Sequence, residues 1–195
     1  MTKSILLVGV GGQGTILAGK VLSQALLGAG YDVKMSEIHG MSQRGGSVST
    51  HVRYGDKIES PVIERGGADI LVGFELMEAM RWLEYLSPGG DLIVSNYQIN
   101  PMPVLIGKAE YPDDLLKKLT KSAKTVSFDA FDEAKKLGDP RTMNILLLGA
   151  ATKKIGLDNL AWEDTISQEV RKEFYDINIK AFRRGQELAG NESQT

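Results

Sequence analysis

Leu6-Leu7-Val8-Gly9-Val10-Gly11-Gly12-Gln13-Gly14 is the stretch on which the reading of the chain turns. A short apolar run breaks into glycines, and a helical pattern over 16–27 follows at once. Gly9, Gly11 and Gly14 fit G-x-G-x-x-G in the context that gives the pattern meaning, a strand before and a helix after. In that geometry the first glycine turns the chain and the second lets backbone approach a ligand. The third lets the helix pack on the strand. Amide N–H groups at the helix start then face outward at the positive end of the helix dipole, which favours phosphate or another anion. Gly9, Gly11, Gly12, Gln13 and Gly14 are therefore candidate ligand contacts. The plainer reading makes them a tight strand-to-helix turn and nothing more.

Outward from the turn, the helix spans 15–29, is closed by Gly28 and Gly30, and leads into a second strand over 32–37. The two strands and their helix read as a β-α-β unit with parallel strands. The second strand ends in Glu37, where a dinucleotide fingerprint places an acid for a ribose hydroxyl; a solvated strand end is the alternative. The loop Ser36-Glu37-Ile38-His39-Gly40-Met41-Ser42-Gln43-Arg44-Gly45-Gly46-Ser47 is polar and glycine-rich, and lies at the carboxyl edge, where open α/β sheets bind ligands. Ser42, Gln43 and Arg44 offer hydrogen-bonding groups and a fixed cation there. Residues 48–55 alternate apolar and polar as a half-buried strand does, and 58–63 reads as its hairpin partner. His51 sits on that strand with no neighbouring acid in sequence, as a satisfied strand residue rather than a base.

Further along, 68–75 is an apolar strand, 76–86 a helix stopped by Ser87-Pro88-Gly89-Gly90, and 91–96 a strand ending in Ser95 and Asn96 at the same carboxyl edge. An extended proline segment over 100–103 and an edge strand over 104–107 follow. A helix from 112 to about 121, a strand over 124–128 and a helix over 130–137 come next. Residues 142–155 read as a buried helix, and 162–170 and 174–188 as amphipathic helices. These elements predict an α/β, Rossmann-like fold: an open, mostly parallel sheet with helices on both faces, a small hairpin insertion and a helical tail. One domain covers 1–190, with 155–190 as the tail and 191–195 as a mobile end.

The 195 residues are 42% apolar and 25% charged with a net charge of −2, ordinary for a globular chain with a sizeable core. Basic residues are not clustered as a nucleic-acid surface requires. No apolar run approaches the roughly 20 residues of a membrane span. Thr2 and Lys3 lead straight into the first strand, so the expectation is a cytoplasmic chain without a signal peptide. There is no cysteine, hence no disulfide, thiolate nucleophile or cysteine-ligated cluster. Two histidines without metal spacing argue against a zinc site. Neither a nucleophile elbow nor a Walker lysine is present. Among the loop acids Glu37, Glu64, Asp69 and Glu75, Asp69 opens a strand and Glu75 starts a helix, where an acid suits the dipole. A binding site without a reaction centre suits a subunit better than a complete catalyst.

The glycine turn, together with 36–48 and His51-Val52-Arg53-Tyr54-Gly55, resembles the gamma-type subunits of 2-oxoacid:ferredoxin oxidoreductases, over residues 3 to about 155. Within that family it is most similar to the beta subunits of the indolepyruvate branch. The resemblance implies a complex that decarboxylates arylpyruvates, passes the acyl group to coenzyme A and reduces ferredoxin. It places thiamine diphosphate, Mg and 4Fe–4S clusters in a large alpha subunit, with an α2β2 heterotetramer as the assembly and ferredoxin reached through the partner. This chain would support assembly and coenzyme A binding and hold none of the cofactors alone. Residues 11–14 would face the coenzyme A pyrophosphate or the subunit interface, Ser42, Gln43 and Arg44 would reach toward the partner's active centre, and Ser95 and Asn96 would line the adjoining strand end. A gamma subunit for pyruvate or ketoisovalerate, an NAD-dependent reductase and an adenylyltransferase-like enzyme are the alternatives.

Overall fold

The computed structural model describes residues 2–40 and 45–191. Six strands form one sheet: β1 (Lys3–Val10), β2 (Asp32–His39), β3 (Ser47–Gly55), β4 (Ala68–Gly73), β5 (Leu86–Ser95) and β6 (Lys124–Phe128), in the order β2-β3-β1-β4-β5-β6. The run β1-β4-β5-β6 is parallel, and β3 is antiparallel to both of its neighbours. The sequence reading of a mostly parallel α/β sheet holds, with one correction. β2 does not pair with β1, because β3 turns back from β2 and fills the place between them.

That position makes β3 a central strand, so Ser49, Thr50, His51 and Val52 are all buried. Alternation alone had predicted one wet face. The expected hairpin partner is also absent: 58–63 forms no strand. Side chains hold this segment instead. Asp32 accepts from Ile58 N–H, His51 Nδ1 from Ile63 N–H, and Arg53 donates to the Ser60 and Val62 carbonyls. Pro61 has no N–H to give a ladder, which suits this arrangement.

The helices are α1 (Thr15–Gly28), α2 (Leu76–Arg81), α3 (Met102–Leu105), α4 (Leu115–Ser122), α5 (Ala130–Leu137), α6 (Met143–Lys154), α7 (Trp162–Glu169) and α8 (Tyr175–Asn191). The pleat divides the core into two layers. Ile5, Leu7, Ile70, Val72 and Ile93 face α1 and α5 to α8. Leu6, Val8, Leu71, Leu92 and Val94 face the smaller layer of α2 and α4. Several boundaries differ from expectation: β2 runs on past Glu37 to His39, and α4 starts at Leu115 rather than at 112. The helix after β4 ends at Arg81 and tightens into a 3-10 turn, Leu83–Tyr85. Strand β5 then begins at Leu86 and runs through Pro88-Gly89-Gly90, absorbing them at a register shift against β4. The predicted edge strand at 104–107 is replaced by α3, which Pro101 caps and Pro103 enters within its first turn. The C-terminal helix reaches Asn191, and the rest of the expected mobile end, 192–195, lies outside the described residues. No helix among the described residues is long and apolar enough to cross a membrane.

Candidate functional site

The glycine turn sits between the end of β1 and the start of α1, at the carboxyl edge of the parallel strands. Gly12 and Gly14 have positive φ (107° and 82°), which a side chain would oppose. Gly9 has no such backbone need. A Cβ there would meet Gln13 Oε1 at 2.8 Å and Phe74 at 2.9 Å, so it is small because Gln13 and Phe74, the residue after β4, come close. Gln13 turns inward: Oε1 accepts from Val10 N–H (2.7 Å) and Nε2 donates to the Phe74 carbonyl (2.9 Å). Gly14 packs against Asn144 of α6, whose amide donates to the Gly14 carbonyl (3.2 Å). The close helix-to-strand approach expected of Gly14 belongs to Gly19, where a Cβ would lie 2.6 Å from Thr50 of β3.

Helix α1 starts without a side-chain cap and without an acid in its first turn. Of the amides expected to face a ligand, two are committed: Gly11 N–H donates to the Gly46 carbonyl (2.8 Å) and Gln13 N–H to Val10 (3.1 Å). The sequence reading of free N–H groups across 11–14 is corrected to this extent. Gly12 is exposed and Gly14 partly so.

Residues 45–47 run beside this turn, with Gly45 N–H donating to the Gly11 carbonyl (3.2 Å). Ser47 Oγ–H donates to the Glu78 carboxylate through a short bond, and Trp82 Nε1–H approaches Ser47 Oγ at 3.5 Å. Glu75 caps α2 by accepting Glu78 N–H (2.9 Å), and also takes Ile99 N–H (3.2 Å) and Tyr111 O–H (2.5 Å). Both acids are buried, Glu75 at 1% exposure and Glu78 at 4%. Burial pushes the Glu78 carboxyl above its ordinary range, opposed by the Ser47 hydroxyl and the Arg81 guanidinium. Burial likewise raises the Tyr111 phenol, reinforced by its bond to Glu75. The two acids, residues 45–47, Val10, Arg81, Ile99 and Asn100 line a cavity of about 530 Å3, with Met102 and Leu105 at its rim. Met102, Leu105 and the adjacent Ile106 are exposed apolar side chains, each more than half open to solvent. No group of three His, Cys, Asp or Glu among the described residues is placed to hold a metal ion.

The other sequence candidates fall as follows. Glu37 stands on the edge strand β2, with β3 between it and the turn. Ser95 is fully buried and its Oγ accepts from Ala130 N–H (3.2 Å), so it serves the start of α5. Asn96 is exposed on the next position, and its N–H donates to the Phe128 carbonyl (2.8 Å). Neither lines the cavity. Ser42, Gln43 and Arg44 lie outside the described residues. Asp69 holds Ser4 N–H and Lys3, and Glu75 is a helix cap, as their plainer readings had them. Sequence reasoning missed Glu78. The available signal was Glu75-x-x-Glu78, an acid three residues after a capping acid.

The family model described as pyruvate ferredoxin/flavodoxin oxidoreductase matches residues 4–188. The chain is 38% identical over 192 residues to the indolepyruvate oxidoreductase subunit IorB of Pyrococcus horikoshii, covering 95% of each. Its fold is similar to the keto/oxoacid ferredoxin oxidoreductase gamma subunit of Geobacter sulfurreducens (TM-score 0.73, 26% identity, 97% of this chain and 99% of that one). It also matches part of a 2-oxoglutarate:ferredoxin oxidoreductase from Magnetococcus marinus, solved with 2-oxoglutarate, coenzyme A and succinyl-CoA (TM-score 0.74, 20% identity, 97% of this chain and 31% of that one). That last likeness bears on the fold alone.

Proposed function

The chain belongs to the pyruvate ferredoxin/flavodoxin oxidoreductase family, and from this we propose that it is the beta, gamma-type, subunit of an indolepyruvate:ferredoxin oxidoreductase. The near full-length similarity to an indolepyruvate oxidoreductase subunit carries the proposal. In the reaction an arylpyruvate loses CO2, its acyl carbon forms a thioester with coenzyme A, and two electrons leave to ferredoxin. The large alpha subunit supplies thiamine diphosphate, magnesium and the iron–sulfur clusters. The composition of this chain agrees with that division, since it has no cysteine to ligate a cluster.

What this chain contributes is a surface and an anion contact. The uncapped start of α1, with Gly12 and Gly14, suits the coenzyme A pyrophosphate, because helix-start amides and the helix dipole both favour negative charge. Ser42, Gln43 and Arg44 take, in this reading, a supporting role at the partner's active centre. The exposed apolar patch formed by Met102, Leu105 and Ile106 is the kind of surface that a partner subunit covers. Ser95 and Asn96, at the end of β5, and Glu37, which lies within β2 rather than at its end, keep secondary parts in this reading. The assembly is an α2β2 heterotetramer working in the cytoplasm.

Anaerobic capture of this chain from its native extract tests the reading. The expected result is a large iron–sulfur, thiamine-dependent partner, and an eluate that reduces a dye with indolepyruvate only when coenzyme A is added. A chain that elutes alone with a bound nucleotide, or a partner complex inactive on every 2-oxoacid, would overturn it.

A further inference from the structure

We infer that Glu78 is a positioning residue for the glycine turn, acting through Ser47 and residues 45–46. The inference rests on the coenzyme A reading above only for its kinetic consequence. A buried carboxylate is costly unless donors repay its lost hydration. Among the described residues, the cation paired with it is Arg81, 3.5 Å away with its side chain more than half exposed. Helix α2 does not need Glu78 as a cap, because Glu75 fills that role. The Glu78 side chain accepts from Ser47, the first residue of β3, with the Trp82 indole beside the pair.

Ser47 stands at the one point where that bond can matter for the turn. Gly45 and Gly46 carry no side chains, yet they hold Gly11 from both sides, by N–H to carbonyl (3.2 Å) and carbonyl to N–H (2.8 Å). Two glycines bring high backbone entropy and no packing to such a pair of bonds. Ser47 is the first residue after them with a side chain to fix the segment, and that side chain ends on Glu78. The second tether of the turn, Gln13 to the Phe74 carbonyl, reaches the same short stretch, residues 74–78, from the other side. The turn is thus tied to residues 74–78 by two links, one to Phe74 just before α2 and one through Ser47 to Glu78 within it. Among the described residues, the charged and titratable groups facing Glu78 are Glu75, Arg81 and Tyr111.

The test compares Glu78→Ala, Ser47→Ala and Glu78→Gln in the full chain and in the complex with the large subunit. Glutamine keeps an acceptor for Ser47, so it is the conservative rescue. In the full chain, exchange of the Gly11 amide followed by NMR is expected to accelerate at least about tenfold in both alanine variants, the lower end of the value of one hydrogen bond to a charged group. It should stay within about twofold of the parent in Glu78→Gln, with α6 amides unmoved in all three. In the complex, the KM for coenzyme A should rise by a similar factor in the alanine variants, while kcat and the KM for indolepyruvate hold. An unmoved Gly11 amide in Ser47→Ala, which leaves α2 intact, would overturn the inference. Faster exchange with an unmoved coenzyme A KM would keep Glu78 as the anchor and remove the coenzyme A reading of the turn.

Discussion

His51 shows how far a single residue can be read. It is 1% exposed on the central strand β3, enclosed edge-on by the Trp82 and Tyr85 rings. Its Nδ1 accepts Ile63 N–H at 3.1 Å, so the ring proton belongs on Nε2, toward Ser49 Oγ at 3.3 Å. Protonating Nδ1 would set two donors face to face, and burial lowers the pKa further. The folded state therefore binds this proton less readily than the unfolded chain, whose histidine titrates near about 6.5. The contribution is complete above that pH and is lost as pH falls below it, by up to about 2 kcal/mol at pH 5. Urea unfolding at pH 8 and pH 5 should show a steeper loss for the parent than for His51→Gln; equal losses would mean the buried imidazole takes up its proton as readily as in the unfolded chain. The sequence already gave His51 as a satisfied strand residue and Glu75 as a helix start. Glu78 was not legible, because its partner Ser47 is 31 residues away and meets it only through the placement of β3.

At the scale of elements, the apolar run Met143–Lys154 announced a buried helix, but not what buries it. The cover is α8, and the two helices meet backbone to backbone. A Cβ on Gly149 would strike the Phe182 carbonyl, and one on Gly185 would strike the Leu146 carbonyl. Neither glycine needs a positive φ, so their role is closeness rather than conformation. Gly149→Ala and Gly185→Ala should each cost at least about 3 kcal/mol, since the obstructing atoms are backbone and the helices must part. Gly28→Ala is the control. That glycine ends α1 with open space around its Cβ position and no positive φ, so it should unfold within about 1 kcal/mol of the parent. A mild effect at Gly149 would mean that α8 slides freely over α6. The strand order failed to emerge from sequence for a related reason. Alternation in 48–55 specifies two faces but not two neighbours, and a short polar loop lets β3 return on either side of β2.

Across the whole molecule, the two faces of the sheet are unequal, and the candidate site depends on the lighter one. The face under α1 and α5 to α8 holds the larger cluster, including Leu22, Leu26, Ile145, Leu146 and Leu147 at full burial. The face under α2 and α4 closes with a six-residue and an eight-residue helix, through Leu76, Ala79, Leu115 and Leu119. Yet Glu75, Glu78 and Ile99, which line the cavity, Tyr111, which bonds Glu75, and the Ser47–Glu78 link beside the glycine turn all involve that lighter face or its connections. Local opening follows the density of buried apolar contact, so this layer should open before the rest of the fold. Denaturant-dependent amide exchange followed by mass spectrometry should give a lower opening free energy for α2 and α4 than for α6 and α8. Association with the large subunit should raise the α2 value more than the α6 value, because binding stabilises what it covers or orders. A single opening free energy shared by all four helices would mean that the sheet unfolds as one unit. The glycine turn would then be held by the whole fold rather than by the start of α2.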